Sequence, residues 1–211
     1  VKHFAMANIL AGHEGVPELL QDDLTPERVR DHLLALAQDE PRRRRMRDEL
    51  TRRGIDISHA RSRDAANPFA VILLADGDGE RVVLWRRDLR VALEARDVDA
   101  DAIRSARLVH VDDVDLEASV EAARIARGSG LPVTSDIERT AEDVRALIDV
   151  VTVPIFAEHV PSALTGEADM ARALRAIRRP HHSMVCVTLG ARGAMLLEGD
   201  TVHLEPGIAV K

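Results

Sequence analysis

The chain predicts an α/β fold with a mainly parallel sheet, a projecting β-hairpin and a helical amino-terminal segment. Three observations carry this expectation. Short apolar strands alternate with helix-length segments from about residue 100 onward, an Asp-Gly-rich corner separates two β-rich runs between Phe69 and Trp85, and the first third is punctuated like helix. Repeated strand–helix alternation calls for right-handed crossovers, which build a parallel sheet with helices over both faces.

Taken in order, "LTPERVRDHLLALAQDE" places Thr25 as N-cap, Pro26 at the first helical position and Glu27 in the first turn. Val29, Leu33 and Leu36 form one apolar stripe. "PRRRRMRDELTRRG" predicts a second helix, opened by Pro41 and closed by Gly54. The polar stretch to Pro68 is a connector. "FAVILLADGDGERVVLW" is two strands around Asp76-Gly77-Asp78-Gly79, residues that tolerate the positive φ of a hairpin turn. Then "RLVHVDD" is a strand and "DLEASVEAARIARGSG" a helix ending at Gly128 or Gly130. "LPVTSD" and "TAEDVRALI" repeat the pair, as do "DVVTVP" with "FAEHVPSAL" and "EADMARALRAI". "SMVCVTL" is the next strand, leading through the glycines into a second apolar strand.

Composition narrows the function. The 211 residues suffice for one domain with a real core, and 45% hydrophobic with 31% charged residues reads as globular. Three Phe, one Trp and no Tyr argue against base stacking, and a net charge of −7 argues against nucleic acid; the run Arg42 to Arg45 is a solvated helix face answered by Asp48 and Glu49. The single cysteine, Cys186, excludes an internal disulfide and agrees with a reducing, cytoplasmic setting; in an apolar strand it reads as a small core residue. The longest apolar run, Phe69 to Ala75, is too short to span a bilayer. The chain starts at Val1 and stops at Lys211 without a cap or polar tail, which reads as incompleteness at both ends.

In parallel sheets ligands bind beyond the carboxyl ends of the strands. Asp112 and Asp113, Asp136 with Glu138, Glu158, and the turn Thr188 to Gly193 fall there. Plainer readings stand beside each. Asp112, Asp113 and Asp115 suit helix capping, as does Asp136; Glu158 suits a first helical turn; and glycines mark ordinary strand corners. Together, carboxylates suit Mg²⁺ and bare backbone suits phosphate. Pro180-His181-His182 has no visible third ligand and reads as a solvated loop.

From about Met46 to Lys211 the chain resembles the ribokinase-like, phosphofructokinase-B-type carbohydrate kinases. The likeness rests on an ordered series: "MRDELTRRGIDISH", "PFAVILLADGDGERVVLW", "LVHVDDVD", "GLPVTSDIE", "VPIFAEHVPSALTGE", placed like the family's "N-x-x-E … L-T-G", and "VCVTLGARGAML", close to its "V-T-x-G-x-x-G". The resemblance implies a three-layer α/β/α domain over 46–211, incomplete, with a lid at 69–85 and a core at 100–211. It implies transfer of the ATP γ-phosphoryl group, with Mg²⁺, to a hydroxyl of a sugar or sugar-like alcohol. Thr188, Gly190 and Gly193 would line the nucleotide, Glu158 and Asp136 would serve the metal, and Asp112 would face the sugar beneath lid residues Phe69 and Trp85. The lid could also pair two copies of the chain. Two departures accompany the likeness: Ile155 stands where the family often has Asn, and the "G-A-G-D" segment with the catalytic Asp base is expected beyond Lys211, so no catalytic residue is assigned and the chain alone is expected to be inactive.

Residues 1–45 carry a different likeness. "FAMANILAGHEGVPELLQDD" resembles the carboxyl-terminal donor-site region of lipid-A-disaccharide synthase, a UDP-sugar-dependent glycosyltransferase; Asn8, Glu18 and Gln21 match its donor positions, and Ala7 departs from its Pro. A natural fusion and an assembly artefact would both give such a join. The alternatives to a sugar kinase are therefore a glycosyltransferase fragment and a non-catalytic nucleotide-binding α/β module.

Overall fold

The computed structural model describes residues 12–13, 18–19, 23, 25–38, 40–66, 68–74 and 81–208. The chain divides into two compact units, Val1–Ala92 and Leu93–Lys211.

In the first unit, α1 is Pro26–Gln38 and α2 is Glu40–Arg52. The start of α1 is as predicted: the Thr25 hydroxyl accepts the Arg28 N–H at 3.3 Å, and Pro26 occupies the first turn, where its missing donor costs nothing. α2 begins one residue ahead of Pro41 and ends on Gly54 at φ 76. There the Ile55 N–H reaches back to the Leu50 carbonyl at 3.1 Å and the Gly54 N–H to Thr51 at 2.9 Å, the paired bonds of a left-handed helix stop. Glu49 draws in both Arg52 and Arg53, so the arginine-rich helix is held on its surface by its own acids. Among the described residues of the connector to residue 68 there are turns and no regular element.

The predicted hairpin forms: β1, Phe69–Leu74, pairs antiparallel with β2, Arg81–Arg86, in the register Phe69↔Arg86 to Leu74↔Arg81. Its Asp-Gly corner lies outside the described residues. Directly opposed residues share a face, so Val71, Leu73, Val82 and Leu84 line one side and Ala70, Ile72, Val83 and Trp85 the other. Both faces are apolar, and both are open: Leu84 is 56% and Trp85 62% exposed.

The second unit holds a six-stranded sheet in chain order: β3 Val109–Asp112, β4 Val133–Ile137, β5 Val153–Ala157, β6 Met184–Thr188, β7 Ala194–Glu198 and β8 Thr201–Glu205. β3 to β6 run parallel; β7 and β8 return antiparallel. The helices are α3 Ala100–Ser105, α4 Leu116–Gly128, α5 Arg145–Ile148, α6 His159–Thr165 and α7 Met170–Ile177. This is the predicted mainly parallel α/β fold. Two details differ from the reading of the sequence. "DVVTVP" forms the third strand only in its last two residues: Val150 and Val151 belong to the turn after α5, where the Val151 N–H bonds the Leu147 carbonyl, and β5 starts at Val153 and runs through Phe156 and Ala157, which the sequence reading assigns to the helix "FAEHVPSAL". The last strand, β8, has no counterpart among the elements expected from the sequence.

Strands laid side by side in chain order with right-handed crossovers place their helices on one face of the sheet. Burial follows that rule. Val109 and Val111, Val133, Ser135 and Ile137, Pro154 and Phe156, Val185 and Val187, and Leu197 all point into one core with Val120, Leu147, Ile148, Leu174 and Ile177. On the opposite face His110, Asp112, Asp136 and Thr188 are exposed, and Ile155, Cys186 and Leu196 are half-buried. Among the described residues of this unit, therefore, the expected second helical layer is not present; the incompleteness of the three-layer fold is this open face. Cys186 sits on it rather than in the core, and burial pushes its thiol pKa up, which keeps the sulfur protonated and unreactive.

The His181-His182 pair is not a solvated loop. His182 is 8% exposed; its Nε2 lies 2.8 Å from the Ile148 carbonyl and its Nδ1 3.1 Å from the Arg179 backbone N–H. A carbonyl only accepts and an amide N–H only donates, so both bonds are made together by one neutral tautomer, protonated at Nε2. Desolvation holds the His182 pKa down to about 4. His181 packs edge-on against it. Among the described residues no helix is long and apolar enough to cross a membrane.

Candidate functional site

The carboxyl ends of β3 to β6 carry the residues singled out from the sequence, and each is held differently. At the end of β3 the exposed Asp112 turns its carboxylate onto the Val114 N–H at 3.0 Å. Asp113 is 5% exposed and accepts the backbone N–H groups of Glu138, at 2.8 Å, and Arg139, at 2.7 Å. It therefore neither caps α4 nor faces ligand: it satisfies two amides and so stitches the ends of β3 and β4 together. Asp115 is the N-cap residue of α4 and makes no side-chain capping bond.

On β4 the exposed Asp136 stands directly opposite Asp112 in the parallel register. Two carboxylates side by side at the sheet's edge favour a cationic or hydrogen-bond-donating neighbour. Glu158 follows β5 at the start of α6, and its carboxylate does not cap that helix; it pairs with the guanidinium of Arg192 in the β6–β7 turn. Asp136 is level with Ile155, so Glu158 lies three residues farther along, roughly 10 Å at the rise of a strand. Among the described residues no group of three or more His, Cys, Asp or Glu side chains could hold a metal. Mg²⁺ bound to a polyphosphate asks less, one or two carboxylates with phosphate and water completing its shell; the exposed Glu158 beside the cleft meets that requirement, whereas Asp136 is too far from it to share the same shell.

The glycines of the β6–β7 turn have separate reasons. Thr188 is exposed, with its hydroxyl 3.4 Å from the Phe156 carbonyl. A single turn of 3-10 helix, Gly190–Arg192, follows, with Gly190 at φ 56 in open space. Gly193 has φ 97, and a Cβ there would overlap the Glu205 carbonyl oxygen and the backbone of Pro206 and Gly207; a Cβ on Gly207 would in turn overlap the Ala191 carbonyl. The bareness of Gly193 thus serves close packing of the chain's own backbone, which fixes the turn, while the space beside Gly190 is left free. The turn joins antiparallel strands, so it is a hairpin corner, and Leu189 and Arg192 within it line a cleft.

Beside it opens a cleft of about 580 Å³, lined by Glu158, His159 and Ser162 from α6, Asp169 and Met170 at the start of α7, and Leu189, Arg192 and Met195. His159 is anchored by its Nε2 to the Glu138 carbonyl at 2.9 Å, and Asp169 caps α7 through the Arg172 N–H at 2.8 Å. Gly166, in the "L-T-G" stretch, ends α6 at φ 75. The structure thus brings Glu158 to the glycine turn. It leaves Asp112 and Asp136 outside the cleft, on the open edge of the sheet. Arg192, which completes the contact, had no signal in the sequence beyond its place between two glycines. Phe69 and Trp85 belong to the other unit; the Phe69 side chain, Asn8 and Gln21 lie outside the described residues, and Glu18 is partly buried in a non-helical stretch.

Residues 29–211 match the family model described as pfkB family carbohydrate kinase. Among solved structures the chain is similar to a protein assigned as a ribokinase from Agrobacterium tumefaciens, at 27% identity and TM-score 0.69 over 82% of this chain and 58% of that one. It is also similar to a PfkB protein from Polaromonas sp. JS666, at 21% identity and TM-score 0.67 over 79% and 63%. A third, assigned as ribokinase II from E. coli and solved with ATP and Mg²⁺, aligns at 16% identity and TM-score 0.61 over 78% and 58%. A further likeness, 34% identity over 82 residues, is to lipid-A-disaccharide synthase of Nitrosococcus oceani, covering 39% of this chain and 20% of that protein. That stretch is longer than the segment ahead of residue 29, so the two likenesses overlap. The chain spans less than two thirds of the length of each of these relatives. With the matched stretch taking in α2, the hairpin and the whole α/β unit, the chain belongs to the pfkB family of carbohydrate kinases.

Proposed function

We propose that the chain is the nucleotide-binding and lid portion of an ATP-dependent sugar kinase, which moves the γ-phosphoryl group of Mg-ATP to a sugar hydroxyl. The observation that carries the reading is the convergence of Glu158 with Leu189 and Arg192 of the β6–β7 turn on one cleft at the carboxyl ends of β5 and β6. Phosphoryl transfer needs positioning and charge neutralisation more than covalent help from protein. In this reading the turn presents Thr188, Gly190 and Gly193 to the phosphates, and its rigid backbone lowers the ordering cost of binding. Glu158 would hold the magnesium through water, with Asp136 near the metal and phosphates, and the ion would neutralise charge on the transferring group. Asp112 faces the sugar, and Phe69 and Trp85 are the lid's apolar contacts. The apolar faces of β1–β2 are the proposed contact of a homodimer, and the cytoplasm the proposed location. No Gly-Ala-Gly-Asp stretch occurs in these 211 residues, so binding without turnover is proposed for them as a separate polypeptide.

The lipid-A-disaccharide synthase likeness supports one competing reading, UDP-sugar binding at Asn8, Glu18 and Gln21. Thermal unfolding separates the two. A ligand at 100 times its dissociation constant adds about 2.7 kcal/mol of stability. Magnesium-dependent stabilisation by ATP with none by UDP-sugar is the expected result; stabilisation by UDP-sugar alone would replace the kinase reading with the transferase one.

A further inference from the structure

Arg192 and Glu158 both line the cleft and pair there, the guanidinium coming from the β6–β7 turn and the carboxylate from the start of α6. We infer that this pair is an exchangeable latch: an entering polyphosphate takes over the Arg192 guanidinium, and the exchange frees the Glu158 carboxylate for the cation that accompanies the phosphates. The inference rests on the nucleotide reading above and assigns Arg192 as a phosphate-binding residue.

Four features support it. The two side chains are 67% and 50% exposed, and exposed ion pairs contribute at most about 1 kcal/mol, so parting them costs little. A polyphosphate offers the guanidinium two parallel charge-assisted bonds in exchange. The backbone under Arg192 is fixed: Arg192 N–H bonds the Leu189 carbonyl at 3.1 Å, Gly193 N–H bonds Gly190 at 3.0 Å, and Leu189 N–H bonds the Gly193 carbonyl at 2.8 Å. With Gly193 clamped against residues 205–207, the swing is confined to the side chain. Finally, among the described residues lining the cleft Arg192 carries the only guanidinium or ammonium; His159 is committed to the Glu138 carbonyl.

The test is calorimetric titration of ATP, with and without Mg²⁺, into the wild-type chain and into Arg192→Ala, Arg192→Lys, Glu158→Gln and the Arg192→Ala/Glu158→Gln double variant. Both positions are exposed, and unaltered melting in the absence of nucleotide checks the fold. Arg192→Ala is expected to lose about tenfold in affinity for ATP with or without the metal, and Arg192→Lys to recover part of it. Glu158→Gln is expected to tighten metal-free ATP by a few fold, because Arg192 is no longer engaged, and to lose the enhancement by Mg²⁺. The double variant is expected to be non-additive. Unchanged affinity in Arg192→Ala, or weakened metal-free binding in Glu158→Gln, would overturn the latch and leave the nucleotide reading standing. A wild-type chain that binds no ATP would remove both.

Discussion

The hairpin β1–β2 and the sheet β3–β8 are made of the same Val, Leu and Ile, yet they meet solvent in opposite ways. Phe156 and the valines beside it are fully buried under the helices of one face, whereas Leu84 and Trp85 stand more than half exposed on a ribbon with two apolar faces. A two-stranded ribbon cannot bury its own side chains, so its residues contribute little to the stability of the chain that carries them. Apolar character kept without burial leaves a surface open to contact; apolar character buried to zero exposure belongs to the framework that aims the strand ends.

The largest test of that contrast is a pair of truncations. Phe156→Ala is expected to cost about 3–5 kcal/mol in chemical denaturation, and Trp85→Ala less than about 0.5 kcal/mol. Equal costs would mean that the hairpin is part of the framework. Next comes pH. The folded pKa of His182 lies below the ordinary value of 6.5, so its contribution is full above pH 6.5 and is lost as the pH falls toward about 4. A loss of about 3 kcal/mol across that window is expected, and it should be absent in His182→Gln. A flat profile in the wild type would show that burial does not hold the imidazole neutral. Within the turn, Gly193→Ala should cost about 2 kcal/mol or more, because backbone must move as well as φ, whereas Gly190→Ala should cost about 1 kcal/mol, for φ alone. The smallest effect is at Ser135, whose fully buried Oγ has no hydrogen-bond partner among the described residues. Ser135→Ala is expected to be neutral or to stabilise by up to about 1 kcal/mol.

The same contrast separates what the sequence could show from what it could not. Helix starts and stops were legible because Thr25, Pro26 and Gly54 act through local backbone chemistry. The alternation of β3 to β6 with helices was legible for the same reason. β5 was misplaced because Val150 and Val151 continue the apolar run into Val153, and apolar periodicity alone does not distinguish a buried turn from a strand. The one-sided cover of the sheet had a signal: "VHVD" alternates apolar and polar residues as a half-exposed strand does. The site was less legible than the fold, since its contacts are long-range. Asp113 satisfies amides 25 and 26 residues away, and Arg192 meets a carboxylate 34 residues away. Nothing in local spacing records either bond.

The account turns on where nucleotide binds, and hydrogen exchange of the chain with and without Mg-ATP reads that directly. Protection concentrated in Glu158–Ser162 and Leu189–Ala194, with α1 and α2 unchanged, is the result expected. Protection confined to residues ahead of Arg52, or none anywhere in the sheet unit, would contradict the assignment of the cleft between α6 and the β6–β7 turn.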